Sequence, residues 1–183
     1  AFVGCTYLCP QFLPLLQTDR WARVKTFFTS NRQKARQTSR PLLVGEPAIA
    51  IPCFVHHNHW VALARREING KVYFLYADDL NRASTAQLVK QLIMEETSIQ
   101  FCPPQSIWIN CRNFTYTPHT NECGPRMLLA LTILLTHPAP HRDMLIPYMH
   151  PNLAQIARTH VAMTILTGKI VLPEMLNDNI RVS

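Results

Sequence analysis

From Met127 to Leu135 the chain reads Met-Leu-Leu-Ala-Leu-Thr-Ile-Leu-Leu. A helix of that composition is apolar on every face, so the rest of the domain has to enclose it. The run predicts a buried central helix. Its start is marked by Asn121-Glu122-Cys123-Gly124-Pro125. The fixed φ of Pro125 suits the first helical position, which places the helix start within a residue of Gly124. Cys123 then lies just ahead of a helix N-terminus, where the macrodipole and unpaired N–H groups stabilise a thiolate. Such a cysteine is either a nucleophile or an inert buried thiol, and the partners it meets decide between the two.

Candidate partners lie upstream. Residues 49–55 read Ile-Ala-Ile-Pro-Cys-Phe-Val, and His56-His57-Asn58-His59-Trp60-Val61-Ala62-Leu63-Ala64-Arg65 follows. After Asn69-Gly70 comes Lys71-Val72-Tyr73-Phe74-Leu75-Tyr76-Ala77-Asp78-Asp79-Leu80-Asn81. Asn-Gly between two β-rich runs predicts a hairpin, because both central residues of a type I′ turn need positive φ. With a two-residue loop Ile68 faces Lys71, and every later pair has positions summing to 139. Val61 then faces Asp78, and Trp60 faces Asp79. Side chains alternate along a strand, so His59, Val61 and Asp78 share one face, while Trp60 and Asp79 point to the other. His59 and Asp78 become diagonal neighbours with Cα atoms roughly 7–8 Å apart, within reach of a side-chain hydrogen bond.

A carboxylate that orients an imidazole, together with a thiol at a helix start, supplies the parts of a Cys-His-Asp nucleophilic machine. In that reading His59 takes the thiol proton, and Asp78 holds the imidazole tautomer and stabilises the imidazolium. Cys123 attacks a carbonyl carbon, and its own backbone N–H contributes to an oxyanion site.

Ile49-Ala50-Ile51-Pro52, His59-Trp60, Tyr76-Ala77-Asp78-Asp79-Leu80-Asn81 and Glu122-Cys123-Gly124 together resemble the Ulp1/SENP-type cysteine proteases and the related adenovirus protease. The order His, Asp, Cys and the separations of 19 and 45 residues match jointly. The resemblance covers roughly residues 41–136 and implies an α+β fold of papain-like, Ulp1 type. A small mixed β-sheet packs against helices, and a buried central helix carries the catalytic cysteine at its N-terminus. It implies cleavage after the Gly-Gly terminus of a ubiquitin-like modifier of SUMO, ubiquitin or NEDD8 type, or processing of a precursor protein. In the relatives a tryptophan at the place of Trp60 roofs a narrow tunnel, and Tyr7 is the nearest match to a second roof residue. Trp60, Gly124 and Tyr7 are therefore the expected substrate-binding positions. Two positions depart from the pattern. The family has a glutamine oxyanion donor about six residues before the cysteine, where this chain has Thr117. With the loop shortened by two residues, His119 takes that place. Gln105 lies eighteen residues before Cys123 and is not promoted. Glu122 stands where aspartate is usual.

The length, 183 residues, fits a single domain, 1–183, that buries roughly 70% of its unfolded surface. No apolar run reaches the ~18–20 residues needed to span a bilayer. The six cysteines, Cys5, Cys9, Cys53, Cys102, Cys111 and Cys123, show no Cys-x-x-Cys spacing. They predict an intracellular, reducing compartment, cytoplasm or nucleus. The tail 177–183 is expected to be disordered. Neighbouring histidines on a strand point to opposite faces, so His56-His57-Asn58-His59 predicts no metal site, and no cofactor is expected. His137, His141, His150 and His160 are expected on loops and helix surfaces. Helices are predicted over 86–96 and 152–167, the latter ended by Gly168, and a strand over 106–110.

Charge is unevenly spread. Seven of the eighteen Lys and Arg residues fall between 20 and 40, from Arg20 to Arg40. That stretch is either a solvated surface or a patch for an acidic partner. No nucleic-acid motif accompanies it, so sequence-specific DNA binding is not expected. Two further functions remain open on the same scaffold. One is a YopJ-like acyltransferase, which shares the His-acid-Cys order; the other is a modifier-binding module that lacks efficient chemistry.

Overall fold

A computed structural model of the chain describes residues 5–7, 13–14, 47–56, 58–112, 122–148 and 152–167. The Asn69-Gly70 turn sets the centre of the sheet. Both residues have positive φ, 51° and 74°, and the loop is two residues long. The strands it joins, β3 (His59–Ile68) and β4 (Lys71–Ala77), are paired from Ile68 with Lys71 to Ala62 with Ala77. This is the register expected from the sequence. Gly70 meets nothing within 4 Å where a Cβ would stand, so backbone strain is the only penalty at that site. Gly70→Ala is expected to destabilise the fold by about 1–2 kcal/mol, measured by urea unfolding.

Strand β2 (Ala48–Val55) pairs antiparallel with β3, from Ala48 with Arg66 to Val55 with His59. Strand β1 (Cys5–Tyr7) adds in parallel to β2, and β5 (Ile107–Asn110) adds in parallel to β4. The result is a five-stranded mixed sheet in the order β1-β2-β3-β4-β5. Helix α1 (Ala83–Glu96) follows β4, α2 (Cys123–Thr136) follows β5, and α3 (Leu153–Thr167) comes last. No helix among the described residues is long and apolar enough to cross a membrane.

The two faces of the sheet are built differently. One presents Ile49, Ile51, Val61, Leu63, Val72 and Phe74, which pack with Val89 and Ile93 of α1 and with Phe101. The other presents Ala50, Ala62, Ala64 and Ala77, which pack in one cluster with the leucines of α2. Methyl side chains let the helix lie close to the sheet, and α2 is buried at every residue from Arg126 to Leu135 except Leu128. Helix α3 covers its outer side through Leu153, Ile156 and Ala157.

Helix α2 is also fixed at both ends. Near its start, Trp60 Cδ1 lies 3.9 Å from where a Gly124 Cβ would be. At its far end Arg66 Nη1 donates to the carbonyls of Leu134 and His137, at 3.2 and 2.6 Å. A cation there meets carbonyls that lack helical partners and the negative end of the dipole. Since Trp60 lies near the start of β3 and Arg66 near its end, α2 runs alongside β3 in the same direction. Its N-terminus therefore arrives at the end of the sheet where His59 stands.

Helix α2 begins at Cys123, within a residue of Gly124 as expected, with Pro125 as its third residue. Two expectations need correcting. Helix α1 begins at Ala83, three residues before the expected start, because the preceding turn is organised by Asp78 (below) rather than by a cap within the helix. His160 is not on a helix surface: it is buried, 3.0 Å from Thr132 Oγ1. The basic stretch 20–40, Thr117, His119, His150, Gly168 and the tail 177–183 lie outside the described residues.

Candidate active site

Strand β4 ends at Ala77, and the chain turns at once, with Asn81 N donating to the Asp78 carbonyl at 3.0 Å. Asn81 adopts a positive φ of 49°, a conformation that asparagine tolerates. Asp78 builds this turn with its side chain. Oδ1 accepts the Leu80 amide at 2.9 Å, and Oδ2 accepts the Arg82 amide at 3.1 Å and the Tyr76 hydroxyl at 3.4 Å. The remaining contact is to the imidazole: His59 Nε2 lies 2.8 Å from Asp78 Oδ1. Both side chains are buried, at 4% and 2% exposure.

Burial alone would raise the Asp78 pKa. The hydrogen bonds from His59 and from the Leu80 and Arg82 amides outweigh it and hold the carboxyl below its ordinary 3.8. A carboxylate kept ionised against Nε2 places the ring proton on that nitrogen in the neutral imidazole. Nδ1 is left as the acceptor, and it has no hydrogen-bond partner among the described residues.

Just ahead of His59, His56 adopts a positive φ of 52° and reaches Thr85 in the first turn of α1, Nε2 to Oγ1 3.1 Å. The loop that delivers the imidazole is thus tied to a helix. Cys123 is a half-buried free thiol at the first position of α2. No side chain among the described residues caps that helix, and Pro125 has no N–H. The Cys123 and Gly124 amides are therefore the donors of the first three helical residues. By contrast, burial pushes the other described thiols up, Cys111 to about 12, Cys53 further and Cys102 less far.

Trp60 is half-buried, tilted against Phe54 with ring centroids 4.8 Å apart, and packs on the α2 side of the sheet, opposite Val61. Of the expected substrate-binding positions, Trp60 and Gly124 face each other. Tyr7 stands in β1, in register with Ala50, with its side chain outside the description. An open cavity of about 470 Å³ lies behind Asp78, between Tyr76, Arg82, Arg112 and Arg142, and Cys123 is not among its described walls.

Alternation failed at Asp79. The residue was expected on the far face, yet its Oδ1 lies 3.4 Å from His59 Nε2, because the strand has ended and the turn brings both acids to the ring. His59, Asp78 and Asp79 bring their ligand-type atoms within 4.8 Å of one another. Asp78 is already saturated by protein donors, so the cluster reads as an internal network. Asp79 also meets Arg126 of α2, Oδ2 to Nη1 3.8 Å. Arg126 was overlooked in the sequence. A single cation in the first turn of an otherwise apolar helix, four residues after Glu122, was the available signal.

The fold is similar to that of the SUMO protease Ulp1 with its catalytic cysteine oxidised to a sulfonic acid. The TM-score is 0.60 at 17% identity, over 92% of this chain and 71% of that one. It is likewise similar to the C-terminal Ulp1 protease domain in complex with Smt3, the yeast orthologue of SUMO (TM-score 0.58, 16% identity, 90% and 68% covered). A third similar structure is the Rickettsia bellii effector protein RickCE (TM-score 0.52, 15% identity, 82% and 54% covered). By sequence, the chain matches no protein-family model and no curated protein. A mixed sheet, a buried helix opened by Cys123 and these structural likenesses give one conclusion: this chain has the α+β, Ulp1-like cysteine-protease fold.

Proposed function

We propose that the protein is a thiol protease in which Cys123 is the nucleophile, His59 the general base and Asp78 the orienting acid. Its substrate in this reading is the C-terminal tail of a ubiquitin-like modifier. The observation that carries the proposal is the buried 2.8 Å contact between His59 Nε2 and Asp78 Oδ1, at the end of the sheet to which α2 brings Cys123. The modifier is inferred from the Ulp1 domain solved with Smt3. Free thiols at Cys53, Cys102, Cys111 and Cys123 fit work in a reducing compartment.

His59 Nδ1 accepts the Cys123 proton, and Asp78 stabilises the resulting imidazolium through Nε2–H. The thiolate sulfur bonds to the substrate carbonyl carbon, and the carbonyl electrons move onto oxygen. The amides of Cys123 and Gly124 are positioned to donate to that oxyanion. Collapse of the intermediate breaks the C–N bond, and the imidazolium returns its proton to the leaving amine. A water molecule, deprotonated by His59, then hydrolyses the thioester and frees Cys123.

The test is intact mass after mixing the protein with ubiquitin, SUMO and NEDD8 carrying C-terminal electrophiles, with Cys123→Ala alongside. The expected result is an adduct with one modifier that the mutant does not form. If no modifier reacts while a small alkylating agent still labels Cys123 rapidly at neutral pH, the substrate is a precursor protein or an acyl donor instead. Slow labelling as well would leave a binding module without chemistry.

A further inference from the structure

His59 faces two acids in very different settings. Asp78 has a donor on every side. Asp79 is as deeply buried, at 4% exposure, yet neither of its oxygens accepts a hydrogen bond from another described residue. A buried carboxylate without hydrogen bonds is costly unless opposite charges surround it. One does, the Arg126 guanidinium at 3.8 Å, and the His59 ring at 3.4 Å becomes a second when it is protonated. Arg126 is itself buried and shares its charge with Glu122, Nη2 to Oε2 3.3 Å. Glu122 in turn takes Arg158 from α3, Oε1 to Nη2 2.7 Å.

The chain of charges therefore runs from Asp78 through His59, Asp79, Arg126 and Glu122 to Arg158, and it brackets the nucleophile. Glu122 immediately precedes Cys123, and Arg126 lies one turn after it. Among the described residues three carboxylates face two guanidiniums, so this part of the network carries one excess negative charge while His59 is neutral. An imidazolium balances it. We propose that Asp79, held by Arg126 on the nucleophile's own helix, is a positioning residue that stabilises the protonated form of His59. Resting on the thiol-protease reading, this assigns the site a second acid, which favours the state in which the Cys123 proton has already moved to the imidazole.

The groups facing Asp79 are His59 from β3, Asp78 from its own turn and Arg126 from α2; burial raises its carboxyl above the ordinary 3.8, with His59 and Arg126 pulling the other way. Removing the negative charge takes away an attraction that only the protonated ring feels, so the proton returns to sulfur and the thiolate share falls. The experiment is alkylation of Cys123, followed by site-resolved mass spectrometry from pH 4 to 9. Wild type, Asp79→Asn, Arg126→Gln, Arg126→Lys and the Asp79→Asn/Arg126→Gln double variant are compared, each with a thermal melt. Wild type is expected to show an acid shoulder, meaning labelling well below the pH at which a free thiol reacts. In Asp79→Asn labelling at pH 6 drops about tenfold. Arg126→Gln drops similarly, Arg126→Lys recovers part, and the double variant is no worse than either single one, as expected of a coupled pair.

A wild-type-shaped profile in Asp79→Asn overturns the proposal. So does a uniform loss at every pH that follows a lowered melting temperature, since that is purely structural support. A wild type without an acid shoulder overturns the thiol-protease reading itself, and the positioning role with it.

Discussion

In the proposed thiol protease, Asp78→Asn is expected to lower turnover by about 10²–10⁴-fold, measured as kcat on a modifier fusion. The substitution is nearly isosteric, but an amide has one accepting oxygen where the carboxylate has two. If that oxygen faces His59 Nε2, the amide nitrogen must face the Arg82 N–H, donor against donor. If it faces Arg82, the amide presents a hydrogen to the ring and selects the wrong tautomer for a base at Nδ1. Either arrangement also leaves a buried donor unpaired, a loss of about 1–3 kcal/mol in fold stability. Asp79→Asn is expected to cost far less turnover, about tenfold, because Asp79 accepts no hydrogen bond that builds the turn. Equal losses from the two would mean that the register no longer singles out Asp78. The acid side of the stability curve carries the same signature. Asp78 is depressed below 3.8 in the fold. Its contribution is full above the unfolded value and is lost as pH falls through the lower, folded one. Asp78→Asn should remove that part of the acid transition.

The largest expected loss of stability comes from Phe74→Ala, about 3–5 kcal/mol, or roughly 6–20 °C in melting temperature for a domain of this size. Phe74 is fully buried in β4, stacked on Trp108 of β5 with ring centroids 4.4 Å apart and packed edge-on to Phe101 at 6.0 Å. Neither neighbour can fill the space a phenyl ring leaves, since Trp108 is held in β5 and Phe101 accepts a hydrogen bond at its carbonyl from Arg65 Nε. The loss would fall on the strand that leads into Asp78, so calorimetry should be paired with activity below the transition. A Phe74→Ala variant that melts within 2 °C of wild type would contradict the packing account.

What the sequence disclosed follows from where local rules apply. Asn69-Gly70 dictates a two-residue turn, and period-two alternation then carries the register to Ala77 without further information. The apolar run from Met127 was equally legible, since a helix with no polar face has one place to go. Both rules stop at the end of the strand. Asp79 came round to the imidazole because the Asp78 side chain folds the chain back on itself, a tertiary event that alternation does not encode. The early start of α1 has the same origin, because the Arg82 amide that precedes it is engaged by Asp78. Arg126 and His160 were hidden for the opposite reason: their partners, Asp79, Glu122 and Thr132, are supplied by packing between elements or across a helix turn. The pairing of Glu122 with Arg158 depends on where α3 docks, which no spacing in the chain reveals.

The alanine floor beneath α2 has an evolutionary side. Ala50, Ala62, Ala64 and Ala77 have almost no room to grow, because each added methylene would lift the helix and carry Cys123 away from the ring it meets in the proposed mechanism. Drift in this lineage should therefore be confined on that face and freer on the other, where Ile, Val and Phe meet α1, a helix that contributes no reacting atom. Two sheet faces of the same domain would then keep different molecular clocks.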